Sequence, residues 1–97
     1  MVETAGSNQV IGLSNISLTD FHVEIDIMQV DGTTNEKVVQ ILTSNYSEID
    51  SGNGVLGEWK HFSFDKHNLE TNSRFRIVTT GDCTKLRFKN FIIYGIQ

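Results

Sequence analysis

Three groups of residues in this chain have types and spacings that could do chemistry. The first is Trp59 with His61, in the segment "EWKHFSFD". If that segment is a regular strand, both side chains point away from Phe62 and Phe64. An indole on an open face is a platform for a sugar ring, because C–H groups stack on its π-face while the rest of the sugar stays hydrated. The alternative for Trp59 is a cap at the strand entry, with the ring turned into the core. The second group is Tyr46 beside Asn45, Glu48 and Asp50, in "TSNYSEIDSGNG", the longest polar stretch. An exposed aromatic among amides and carboxylates would form a ligand rim. The third group is His22, Glu24 and Asp26, which alternate along "FHVEIDIMQV" and so share one face.

That third group is an awkward metal centre. Alternate residues on one strand face lie roughly 6.6 to 7 Å apart. Bonds to a transition metal are about 2 Å, so direct chelation of one ion by all three is awkward. A solvated polar face is the better reading. As a pair of catalytic carboxylates, Glu24 and Asp26 would need a separation of about 5 to 9 Å and a cleft, and a flat sheet face has no obvious cleft. Cys83 is the single cysteine, so no intrachain disulfide or cysteine-based zinc site is possible. Its nearest candidate base in sequence is Asp82, a poor one, and a small buried residue is the simpler assignment. No glycine-rich phosphate cradle is present. Catalysis is therefore not expected. Oxygen ligands in "DGTTNE" (Asp31, Asn35, Glu36) and in "DSGNG" (Asp50, Asn53) leave room for a structural calcium ion, although neither stretch matches a specific calcium loop. No other cofactor is expected. Two sequons, at Asn15 and Asn45, matter only in a eukaryotic secretory route.

Strands must position these groups. "FHVEIDIMQV" alternates cleanly, with Phe21, Val23, Ile25 and Ile27 on one face. "KVVQILTS" is apolar on both faces, as suits a central strand. "EWKHFSFD" sets Phe62 and Phe64 on one side, and "RFRIVTT" does the same with Phe75, Ile77 and Thr79. "NQVIGL" and "NISL" read as two short pieces broken by Gly12, and "SGNG" at 51–54 as a turn or mobile loop. The last strand, "KLRFKNFIIYG", turns Leu86 and Phe88 to the core and Lys85, Arg87 and Lys89 to solvent. Its alternation fails after Asn90, which is the mark of a bulge. Tyr94, ending this strand, is expected to be half-buried. No segment has a convincing helical period; "KHNLETNS" allows one short turn at most.

The chain of 97 residues is long enough for one core, and residues 1–97 are expected to form one domain. Its formal charge is −4, which argues against a nucleic-acid partner. Residues 1–57 hold one cation, Lys37, and eight carboxylates, whereas residues 58–97 hold seven cations and four carboxylates; strands from the two halves are expected to interleave. No apolar run approaches the roughly 18 residues of a membrane span. The opening "MVETAGSNQV" has neither a basic start nor an apolar stretch, so no signal peptide is expected in this chain.

Six or seven strands joined by Gly, Asn, Asp and Ser turns predict an all-β fold, an antiparallel β-sandwich of jelly-roll type. Over residues 57–97, "GEWKHFSFD", "SRFRIVTTGD" and "LRFKNFIIYG" resemble the last strands of jelly-roll carbohydrate-binding modules and of similar modules appended to phage tail and bacterial surface proteins. The resemblance implies a noncatalytic accessory or adhesion domain at an extracellular, cell-surface or virion location. The expected partner is a glycan, held by Trp59, Tyr46, His61, Asn45 and Asp50. The competing expectation is a structural module of a phage-like particle whose faces meet other copies of the chain, as in a trimer.

Overall fold

The computed structural model describes residues 2–3, 10–70 and 72–96. All its regular elements are strands: β1 (Val2–Glu3), β2 (Val10–Ile16), β3 (Phe21–Gln29), β4 (Lys37–Leu42), β5 (Glu48–Asn53), β6 (Trp59–Lys66), β7 (Ser73–Val78) and β8 (Leu86–Gly95). They form two antiparallel sheets of four, ordered β1-β8-β3-β6 and β2-β7-β4-β5. Each sheet therefore draws on both halves of the chain, and the acidic and basic halves interleave as expected.

The period-2 pattern of β3 becomes burial directly. Phe21, Val23, Ile25 and Ile27 are fully buried, while His22, Glu24, Asp26 and Met28 face outward and are partly exposed. The buried set packs with Val39, Ile41, Phe75 and Ile77 of the other sheet in a single cluster that also takes in Ile16, Phe62, Cys83 and Leu86. This β-sandwich core is aliphatic with phenylalanine anchors, and Phe75 stacks on Phe91 at 5.5 Å between ring centroids.

Strand β8 lies inside its sheet, between β1 and β3. Asp26 of β3 faces Lys89 and Glu24 faces Ile92, so Asn90 and Phe91 together oppose Ile25. That is the bulge foreseen after Asn90, and Asn90 sits there in the left-handed region (φ 57°). The extra residue shifts parity. Leu86 and Phe88 face the core before it, and Phe91 and Ile93 after it. Phe88 is only partly buried, near the strand pairing with the two-residue β1. The same shift turns Ile92 and Tyr94 outward, where they are 50% and 52% exposed; Tyr94 is more open than its place at the strand end suggested.

Two segments differ from the sequence expectation. Gly12 does not break its strand: β2 runs through it, with a register shift between Gly12 and Ser14. The "SGNG" stretch is not a loop, because Ser51, Gly52 and Asn53 complete edge strand β5. Its glycine serves a close approach rather than a turn: a β-carbon at Gly52 would fall 2.5 Å from Phe62 Cε1.

One buried polar side chain organises the β3–β4 connection. The Gln29 amide donates to the carbonyls of Asp31 (3.0 Å) and Thr34 (2.7 Å) and accepts from the Glu36 N–H (2.8 Å). With all these bonds made, Gln29 can be fully buried without the penalty of an unsatisfied amide.

Candidate functional site

The outer face of the β1-β8-β3-β6 sheet carries a continuous polar network. Pairing of β3 with β6 sets Asp26 opposite His61 and His22 opposite Asp65. His61 meets Asp26 through Nδ1 (2.6 Å) and Glu24 through Nε2 (2.7 Å). His22 meets Glu24 through Nε2 (2.9 Å) and Asp65 through Nδ1. Asn90, placed by the bulge, donates to the other Asp26 oxygen at 2.8 Å. The partners set the charges. Asp65 and then Glu24 raise the His22 pKa, and Asp26 and then Glu24 raise that of His61. In return, the histidines hold the Glu24 carboxyl below its ordinary value, and Asn90 followed by His61 does so for Asp26. Every ring nitrogen of the pair faces a carboxylate, so the network stabilises protonated imidazoles and ionised acids. It does not present a free imidazole to take a proton in a reaction. Among the described residues, no group of three His, Cys, Asp or Glu side chains is placed to hold a metal ion.

Trp59 lies on this same outer face, opposite Met28. Both Trp59 and His61 point away from Phe62 and Phe64, as the strand parity required. The indole is not an open platform, however: it is partly buried, and the Lys89 ammonium sits 4.2 Å from the ring centre.

Tyr46 is elsewhere. It projects from the β4–β5 turn, and its ring lies beneath the Arg74 guanidinium (4.4 Å) and near that of Arg76 (5.9 Å). Both arginines alternate with the buried Phe75 and Ile77, so this is the outer face of the second sheet, on the far side of the sandwich from Trp59. The turn is tied by hydrogen bonds from the Tyr46 N–H to the Thr43 carbonyl (3.0 Å), from the Thr43 N–H to the Ser47 carbonyl (2.8 Å) and from the Ser47 N–H to Thr43 Oγ1 (3.1 Å). They hold Tyr46 at φ 65°, in the left-handed region. A bulky residue rarely sits there, and such a conformation costs roughly 1–3 kcal/mol. The residue is nonetheless 59% exposed. It lines an open cavity of about 420 Å³ together with Val10, Gly12, Ser14, Arg74, Phe75 and Arg76.

The five residues expected to share a ligand are therefore divided. Trp59 and His61 lie on one outer face and Tyr46 on the opposite one. Asn45 is exposed in the Tyr46 turn but does not line the cavity. Asp50 pairs with Lys66 at 2.5 Å, joining edge strand β5 to edge strand β6. Sequence reasoning missed Arg74 and Arg76, although their alternation in "RFRIV" already sets them on one face. What it lacked was the turn that folds Tyr46 back over β7.

The remaining candidates have structural partners. Cys83 is fully buried, its thiol points toward the Lys85 carbonyl, and burial pushes its pKa up. Asp31, considered for calcium, accepts hydrogen bonds from the N–H groups of Thr84 (2.7 Å) and Lys85 (2.9 Å) and from the Thr84 hydroxyl. Asn35 accepts from the Leu56 N–H at 3.0 Å, and Glu36 accepts from the Thr34 hydroxyl at 2.6 Å. No family model matches the chain, and no curated protein or solved structure matches it either.

Proposed function

We propose that this chain is a noncatalytic binding module of jelly-roll type and that it takes a glycan in the cavity beside Tyr46. The jelly-roll assignment is supported by the strand orders. In both sheets the chain's early strands alternate with its late ones, as when a long antiparallel hairpin is wrapped into two layers. The glycan assignment rests on one observation: Tyr46 is held in a strained backbone conformation with its ring open to solvent over a cavity. Strain kept in place by surrounding hydrogen bonds is a pointer to use. A tyrosine ring supplies a stacking face and a hydroxyl at once, which is what a sugar offers surfaces to. The cavity volume falls within the range of small-ligand sites.

Affinity is expected to be weak, roughly 10 µM to 1 mM, or about −4 to −7 kcal/mol. A glycan array probed with the chain and with Tyr46→Gly tests the reading. Binding by the parent and loss in the variant is the expected pattern. Equal signals from both would remove Tyr46 from the site.

A second reading, association with other copies of the chain, is favoured by the adjacent exposed side chains Ile92 and Tyr94 on the opposite face. Molar mass in solution decides it: a stable trimer that Tyr94→Ser dissociates would support assembly through that face. In either case the setting we infer is extracellular, at a cell or virion surface.

A further inference from the structure

We infer that the Tyr46 cavity selects acidic sugars, and that its guanidinium groups receive a sugar carboxylate; this rests on the glycan reading above. The chain is acidic overall, with a formal charge of −4. Yet among the described residues lining this cavity there are two arginines and no carboxylate. Cations gathered in a concave spot of an acidic protein make a local positive potential that the net charge hides.

Arg76 is also oriented. Arg76 donates its Nε–H to Gln40 Oε1 at 2.8 Å. Gln40 is itself fixed, donating through Nε2 to Glu48 Oε1 at 3.0 Å. Glu48, from the neighbouring strand β5, accepts from Lys37 Nζ at 2.8 Å as well. The acid on this sheet face is therefore engaged by Lys37 and Gln40. The Arg74 guanidinium carbon lies 4.4 Å from the Tyr46 ring centre, a cation–π contact that keeps this charge at the cavity.

A planar guanidinium with its plane fixed matches a carboxylate edge-on, in the two-pronged geometry that lysine cannot offer. A sugar ring whose C–H face covers Tyr46 would bring a carboxylate on that ring toward the arginines. A uronic-acid residue has both parts on one ring. A polynucleotide offers stacking and anions too, but a chain with a formal charge of −4 lacks the dominant basic face that its repeated phosphates would need.

The test is calorimetric titration of the chain with four probes: a glucuronate-terminated oligosaccharide, its glucose-terminated twin, a glucose twin carrying a sulfate ester, and a ten-residue oligothymidylate. Arg76→Gln and Arg76→Lys are run beside the parent, with thermal melts confirming that each is folded. The expected result is that the glucuronate probe binds about tenfold or more tightly than its neutral twin. Arg76→Gln should erase that preference, and Arg76→Lys should restore only part of it, because the charge returns without the fork. Equal binding of the acidic and neutral twins would overturn the inference and leave the glycan reading standing. Binding of no sugar would overturn both. Tightest binding of the sulfated probe or of the oligothymidylate would also overturn the inference, by showing that the site takes a different anion.

Discussion

Gly52 and Phe62 touch across the sandwich, and the contact exists only because Gly52 has no side chain. A β-carbon at Gly52 would meet Phe62 Cε1 at 2.5 Å, Phe62 Cδ1 at 2.8 Å and Val39 Cγ1 at 3.1 Å. The ring belongs to the buried cluster and has little room to retreat. Gly52→Ala should therefore destabilise the fold by about 1–3 kcal/mol, the usual cost of overpacking. Gly12→Ala is the control: nothing lies within 4 Å of its added methyl group, and its φ is not in the left-handed region. Urea melts should separate the two variants clearly, and equal midpoints would refute the packing argument.

The histidine–carboxylate network makes stability depend on pH. The pKa values of His22 and His61 are raised in the fold. Their contribution is full below the unfolded value of about 6.5 and is lost as pH rises through the raised folded values. Glu24 and Asp26 are lowered. Their contribution is present above the unfolded values near about 4 and is lost as pH falls through the lowered ones. The melting temperature should thus be highest between roughly pH 4.5 and 6.5 and should decline toward pH 8. Because His61 is 55% exposed, solvent screens the effect and the decline should be shallow. The double variant His22→Asn, His61→Asn should flatten the alkaline limb. An unchanged slope would mean that the network does not hold its protons.

Trp59 and Lys89 belong to β6 and β8, which flank β3, and the ammonium lies 4.2 Å from the indole centre. A double-mutant cycle with Trp59→Ala and Lys89→Met should give a coupling of about 0.5–1 kcal/mol, the range for an exposed cation–π pair. Lys89→Met should also shift the emission of this single tryptophan. Strict additivity with unaltered emission would contradict the contact.

Phe75 is fully buried and stacked on Phe91, whereas Phe88 is partly exposed. Phe75→Ala should cost about 3–5 kcal/mol. Phe88→Ala should cost clearly less, because less of its surface leaves water. Equal losses in chemical denaturation would mean that β8 packs more deeply than described.

Much of the sheet structure was legible because period 2 is a strong signal where one face is buried. β3 and β7 follow their apolar alternation, and even the bulge at Asn90 could be foreseen from the broken alternation of "KNFII". Edge strand β5 was not legible. It has one large apolar residue, Ile49, and its glycine looks like a turn until Phe62 is placed against it. The candidate site was legible only in fragments. Tyr46 stood out by type, but Arg74 and Arg76 lie some thirty positions away in sequence and join it only through the register of β4 with β7. Trp59 and Tyr46 looked like one site because a linear chain cannot show that two strands face opposite sides of a sandwich.

The most direct test of the central claim is a two-dimensional amide NMR titration of the chain with the glucuronate-terminated oligosaccharide. The account predicts shifts concentrated at Tyr46, Arg74 and Arg76 and their neighbours on β2 and β7, with the Trp59 indole resonance unmoved. Shifts centred on Trp59 and His61, or none at millimolar ligand, would contradict it.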